Sequence, residues 1–158
     1  RNFYAEPGFS TFHGYLVLAA DGSGINIPTT KETLEEFGTS SRKGTKPQAS
    51  IGLGCLYDVM NRMILESDCR KCKLDEMRVA EEQLDRVPET IGSSQPFLVV
   101  MDRGYPSTPA FIRMMEKGIL FLARLKSSDY KKEQAALSAP DTWVDILLDK
   151  SRIVVEYK

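Results

Sequence analysis

Phe97-Leu-Val-Val-Met101 is a continuous apolar run, and Asp102 follows it without a break. Leu16-Val-Leu-Ala-Ala20 is a second such run, and Asp21 follows it in the same way. Short apolar runs bounded by turn residues predict strands buried on both faces of a sheet. Ligands of open α/β sheets gather at the carboxyl ends of strands. If these two strands are parallel neighbours, they lie about 4.8 Å apart and both carboxylates project from one edge.

The rest of the chain fits around them. Residues 1–13 form a lead-in rich in aromatics. Residues 14–20 carry the first strand, which Asp21-Gly-Ser-Gly24 is expected to end in a sharp turn. Ile25-Asn-Ile27 then reads as a short second strand stopped by Pro28. Residues 29–36 suggest a short helix, and residues 38–48 a loop. Residues 49–60 and 62–67 suggest two antiparallel strands turning near Asn61. Residues 74–87 have helical apolar spacing, with Pro88 just past the end. A helix from Pro106 or Ser107 to Lys117 is closed by Gly118. Residues 119–125 are a third buried strand, ending in Arg124 and Lys126. Trp143 is expected as a core anchor, and residues 143–148 and 153–157 suggest a β-hairpin. An antiparallel beginning and alternating strands and helices afterwards predict a mixed α/β sheet with helices on its faces.

Composition narrows the classes. The chain has 158 residues, 42% of them hydrophobic, which is enough for a substantial core. Its 21 Lys and Arg nearly balance 22 Asp and Glu, so any nucleic-acid contact must use local patches. No apolar run approaches the ~20 residues of a membrane span. No secretory signal is apparent. Three cysteines are too few for a disulfide scaffold, and a reducing cytoplasm fits them best. The chain begins at Arg1 rather than Met and stops inside an apolar run, as expected of a piece of a longer protein.

Two adjacent unpaired carboxylates repel each other, and a divalent cation relieves the repulsion. Oxygen ligands favour Mg²⁺ or Mn²⁺, with water and substrate phosphates completing the shell. Such a centre suits phosphoryl displacement. An aspartate after a strand is also a common turn former or helix cap, and spacing alone leaves both readings open.

A family resemblance weighs on that choice. Leu18-Ala-Ala-Asp-Gly-Ser-Gly-Ile-Asn-Ile-Pro28 resembles the first catalytic block of the DDE transposases of bacterial insertion sequences, the insertion-sequence-4 family in particular. Phe97-Leu-Val-Val-Met-Asp-Arg-Gly-Tyr-Pro-Ser107 resembles the second block more closely still. Gly118-Ile-Leu-Phe-Leu-Ala-Arg-Leu-Lys126 is similar to the strand that follows, and residues 53–65 to the intervening antiparallel strands. The resemblance covers roughly residues 14–126.

It implies a ribonuclease-H-like fold, a mixed five-stranded sheet flanked by helices. It divides the chain into a lead-in (1–13), a partial catalytic core (14–128) and the start of a β-rich insertion (129–158). Asp21 and Asp102 take the places of the first two catalytic aspartates, as metal ligands for Mg²⁺ or Mn²⁺. The third carboxylate, a glutamate in a pattern with tyrosine, arginine and lysine, has no match; Glu133 falls too soon after the third strand. It is expected beyond Lys158, so the isolated chain is expected not to cleave DNA. The implied partners are transposon-end and target DNA, with a homodimer on paired ends and a bacterial, nucleoid-associated location.

Cations near the aspartates are candidate phosphate contacts: Arg103 within the second block, and Arg124 and Lys126 after the third strand. Arg42, Lys43 and Lys46 form an acid-free basic loop. The alternative for each is a solvated surface charge. Glu76 suits a helix start through the dipole alone. Cys69-Arg-Lys-Cys72 with Cys55 and His13 makes a poor zinc set. Asp21-Gly22 also suggests a haloacid-dehalogenase-like phosphatase, but Ser23 stands where its second aspartate belongs. A transposase relic kept as a DNA-binding or interaction module is the alternative outside enzymes.

Overall fold

A computed structural model describes residues 3–6, 8–40, 44–73, 75–105 and 107–147. A 3-10 turn (Phe3–Ala5) precedes β1 (Leu16–Asn26), α1 (Lys31–Phe37), β2 (Ser50–Asp58) and β3 (Met63–Lys71). α2 (Glu76–Ile91), β4 (Phe97–Met101), α3 (Thr108–Glu116), β5 (Leu120–Ala123) and α4 (Lys131–Ala135) follow. The sheet order is β3-β2-β1-β4-β5. The pairs β1–β2 and β2–β3 are antiparallel, and β1–β4 and β4–β5 are parallel. This is the mixed five-stranded, ribonuclease-H-like sheet expected.

β1 departs from expectation. It does not turn at Asp21-Gly-Ser-Gly24 but runs straight through to Asn26. Its parallel partner β4 ends at the Ala20↔Met101 pair, while β2 stays alongside to Asn26↔Ser50. Gly22 faces Gly54 and Gly24 faces Gly52, and the Ile25↔Ile51 pair lies beyond them. Continued ladder pairing outweighs the turn preference of the glycines, and β1, β2 and β3 form a three-stranded arm beyond the central sheet.

The strands are not buried on both faces. Leu16, Leu18, Ala20, Val99 and Met101 are buried against Ala80, Leu84 and Val87 of α2 and Ala110 and Met114 of α3. Phe111 of α3 stacks on Phe121 of β5 with ring centroids 4.7 Å apart. α2 and α3 therefore cover the same face. On the other, Leu120 and Leu122 are 50% and 62% exposed.

α2 begins at the cap Asp75, whose side chain accepts from Arg78 N at 3.2 Å. Pro88 lies inside the helix rather than past it. A proline there removes one ladder hydrogen bond. The extra turn buries Ile91, and Gly92 N closes it on the Pro88 carbonyl at 3.0 Å. Gln83, also buried, donates to Gly54 O at 3.0 Å and to Asp68 Oδ2 at 3.2 Å. Arg86 clamps α2 to β3 through Glu66 at 2.9 Å and Asp68 at 2.8 Å. Burial alone would raise the Asp68 carboxyl. Hydrogen bonds from Arg86 and Gln83 and the charges of Arg86 and Arg70 outweigh it and hold Asp68 below the usual range.

The lead-in is tied down by Tyr4, whose hydroxyl donates to Asp58 Oδ2 at 2.7 Å. Burial, reinforced by the hydrogen bond and charge of Asp58, pushes the Tyr4 hydroxyl above its ordinary range. Burial also raises Tyr105, helped by the charges of Glu76, Asp21 and Cys55. A group raised on folding contributes stability that is complete below its unfolded value, about 10 for tyrosine, and lost above it. Urea unfolding is therefore expected to show a free energy that falls as pH climbs above about 10. Tyr4→Phe and Tyr105→Phe each flatten that fall; a profile unchanged in both contradicts the assignment.

Past β5 the expectations fail in part. Trp143 is fully exposed rather than a core anchor. Residues 143–147 form no strand. The remainder of the expected hairpin, residue 148 and residues 153–157, lies outside the described residues.

Candidate active site

The parallel ladder of β1 and β4 positions the site. Its last pair is Ala20↔Met101, and Asp21 and Asp102 are the next residue of each chain. Both aspartates thus lie side by side where β4 ends, Asp102 just past β4 and Asp21 within β1, which continues alongside β2. Side chains alternate along a strand, so Asp21 points away from α2, toward which Ala20 is buried. Across β2 its partner is Cys55. Burial raises the Cys55 thiol, as do the charges of Cys69 and Asp21.

Asp102 is 70% exposed, and its nearest cation is Arg124, with Nη1 to Oδ1 at 3.9 Å. Arg124 N donates to Met101 O at 3.0 Å, carrying the β4–β5 pairing one step past the strands. The chain then turns, with Tyr105 N on Asp102 O at 3.1 Å, and buries Tyr105. Neither aspartate carboxylate has a hydrogen-bond donor among the described residues. An exposed carboxylate pair without donors is unsuited to capping and open to a ligand. Two oxygen donors at a strand edge fit Mg²⁺ or Mn²⁺, which takes one or two carboxylates and fills its shell with water and phosphate oxygens. Among the described residues no three His, Cys, Asp or Glu side chains group closely enough to hold a metal ion. Among the described residues the pair therefore stands without a third ligand.

Glu76 is the residue that sequence reasoning undervalued. A Cβ on Gly22 would sit 2.8 Å from the Glu76 Cγ and Cδ and 2.9 Å from its Oε1. A Cβ on Gly104 would sit 3.4 Å from its Oε2. The carboxylate thus lies in a notch formed by two glycines, one directly after Asp21 and one two residues after Asp102. The glycines flanking both aspartates were visible in the sequence, but the acid they admit comes from a distant helix.

The candidate cations divide. Arg103 and Lys126 are exposed in the segments leaving β4 and β5, at the same edge as Arg124 and Asp102. Lys126 N donates to Asp129 Oδ2 at 2.9 Å, which fixes the backbone there. Lys46 is exposed in the loop entering β2. Arg42 and Lys43 lie outside the described residues.

The transposase DDE-domain family matches residues 12–156. No curated relative matches the sequence. Among solved structures the chain is similar to the piggyBac transposase in a cryo-EM synaptic complex with hairpin DNA, at 12% identity and a TM-score of 0.45. The match covers 79% of this chain and 27% of that one. With the family matched over nearly its whole length and two aspartates side by side at the edge of its sheet, the chain belongs to the transposase DDE-domain family.

Proposed function

We propose that this chain is the catalytic core of an insertion-sequence-4-type transposase, with residues 14–128 as the core and residues 129–158 as the start of an insertion. Asp21 and Asp102 are its first two metal-binding carboxylates, and the third is supplied from beyond Lys158. The observation that carries this reading is the β1–β4 pairing that ends one residue before each aspartate. A bound Mg²⁺ or Mn²⁺ supplies charge neutralisation and an activated water for phosphodiester displacement. The aspartate oxygens hold the cation at the strand edge. Arg103, Arg124 and Lys126 offset phosphate charge beside it. The reaction is two phosphoryl transfers without a covalent enzyme intermediate. Water attacks a phosphodiester at the transposon end and expels the 3′-oxygen, leaving a 3′-hydroxyl and a 5′-phosphate. That hydroxyl attacks a second phosphodiester in the opposite strand or in target DNA, forming the new P–O bond as the attacked strand's own 3′-oxygen leaves and is protonated. The whole protein acts as a homodimer on paired ends.

One observation favours the relic reading: no acidic trio exists among the described residues. A downstream glutamate in the expected tyrosine–arginine–glutamate pattern decides for the enzyme. The metal site itself is tested by titrating Mn²⁺ into the isotopically labelled chain. The amides around Asp21 and Asp102 are expected to broaden first and together. Broadening elsewhere, or none at millimolar Mn²⁺, overturns the site.

A further inference from the structure

We propose that the basic cleft between the end of β3 and the start of α2 holds the phosphate backbone of duplex DNA about half a helical turn from the cut site. This rests on the transposase reading above and assigns residues that the sequence did not single out. The cleft has a volume of about 300 Å³ and is lined by Arg70, Lys71, Lys73, Asp75, Arg78 and Val79.

Its position follows from the sheet register. Asp21 pairs with Cys55, and Cys55 with Ser67, so the three share a row across the arm. Ile25 pairs with Ile51, and Ile51 with Lys71, in a row four residues farther out. Alternation puts Ser67, Cys69 and Lys71 on the face of Asp21, and Asp68 and Arg70 on the opposite face with α2, so the cleft wraps the outer edge of the arm and Lys71 is its strand residue on the aspartates' side. Four residues along a strand and two strands across amount to about 13 Å by 10 Å, or roughly 16 Å on the diagonal. A duplex rises about 3.4 Å per base pair, so that span is about five base pairs.

The charges there are not all accounted for by folding. Glu82 engages both arginines, Arg78 through Nε at 3.0 Å. Asp75 is occupied as the cap of α2. Lys71 and Lys73 are exposed and have no hydrogen-bond or ion-pair partner among the described residues. Lysine at the end of an edge strand can also block edge-to-edge pairing. That explains Lys71 but not Lys73, which lies past the strand. Two unspent cations in a concave site, at the same end of the sheet as the aspartates, fit a polyanion whose charges recur along a fixed axis.

The test is binding of the 158-residue chain to random-sequence duplex DNA as salt is varied. Each lost phosphate contact reduces the slope of log K against log salt by about 0.9. K71A/K73A is therefore expected to flatten the slope by about 1.8 and to weaken binding roughly 60-fold at 0.1 M salt. K71R/K73R keeps both. R62N/K117A removes two positive charges at the opposite end of the sheet, where Arg62 lies in the β2–β3 turn and Lys117 precedes β5, and is expected to change little. Thermal melts confirm that each variant is folded. Equal losses in the two charge-removing variants, or no loss in K71A/K73A, overturn the cleft and leave the transposase reading standing. No duplex binding by the unmodified chain at low salt overturns both.

Discussion

Asp21→Asn and Asp102→Asn each reduce DNA cleavage by the transposase carrying this domain by about 10³-fold, the scale of losing one preorganised electrostatic group at a phosphoryl-transfer site. Asparagine keeps the shape and removes the charge. Both aspartates are exposed and neither accepts a hydrogen bond among the described residues, so folding loses nothing specific. Stability should stay within about 0.5 kcal/mol of the parent, the usual range for surface changes. On the proposal that the third carboxylate comes from outside residues 1–158, the isolated chain should show no cleavage with or without the substitutions. Its Mn²⁺ affinity still drops in each variant. The double variant should cleave little worse than either single one, because groups acting as a unit are not additive. A single variant that cleaves like the parent removes that aspartate from the mechanism.

The feature that makes this prediction possible was legible early. Two continuous apolar runs, each closed by an aspartate, predicted both strands and the carboxyl end of β4, but not that of β1. Their adjacency needed the sheet order, which the structure supplies. The extension of β1 was not legible, because the turn preference of Asp21-Gly-Ser-Gly24 is local and the strand that overrides it, β2, lies some thirty residues away. Glycine is a poor strand former, yet Gly52 and Gly54 of β2 are the residues that pair with Gly24 and Gly22.

The layering was hidden for a related reason. The apolar run at residues 119–125 does not say which of its faces is covered. Parallel crossovers are right-handed in nearly all sheets. The chain moves from β1 to β4 through α2 and onward to β5 through α3, always in the same direction across the sheet. Both helices must then land on the same face. Given the strand order, the exposure of Leu120 and Leu122 follows. Without it, the composition of the run reads as buried on both sides. Glu76 was missed in the same way: its helix-start position was sufficient explanation until the glycines flanking the aspartates came to lie against it.

Asp58→Ala is expected to destabilise the chain by about 3 kcal/mol, from donors left unsatisfied at about 1–3 kcal/mol for a buried one. Asp58 is completely buried at the end of β2. Its carboxylate accepts from the Tyr4 hydroxyl and Asn61 Nδ2, both at 2.7 Å, and from Met60 N and Asn61 N, both at 3.1 Å. Removing it takes the acceptor from the Tyr4 hydroxyl and from Met60 N and Asn61 N and leaves Asn61 Nδ2 with Ser10 O, and a stranded buried donor costs its own desolvation. The damage spreads, because Asn61 also holds the lead-in through Ser10, accepting from its N at 2.7 Å and donating to its O at 3.0 Å. Tyr4, packed edge-on against Phe3 and Phe9, loses its hydrogen bond to β2. Asp58→Asn should cost less, because one acceptor oxygen survives. Urea unfolding measures both; a loss below about 1 kcal/mol in Asp58→Ala contradicts the network. The β2–β3 turn lies at the end of the sheet away from Asp21 and Asp102, so Mn²⁺ affinity of the folded fraction should not change. Two aspartates that look alike in the sequence thus answer oppositely. Asp58, buried with four donors, is expected to carry stability and no metal, whereas Asp21, exposed with none, is expected to carry the proposed metal and no stability.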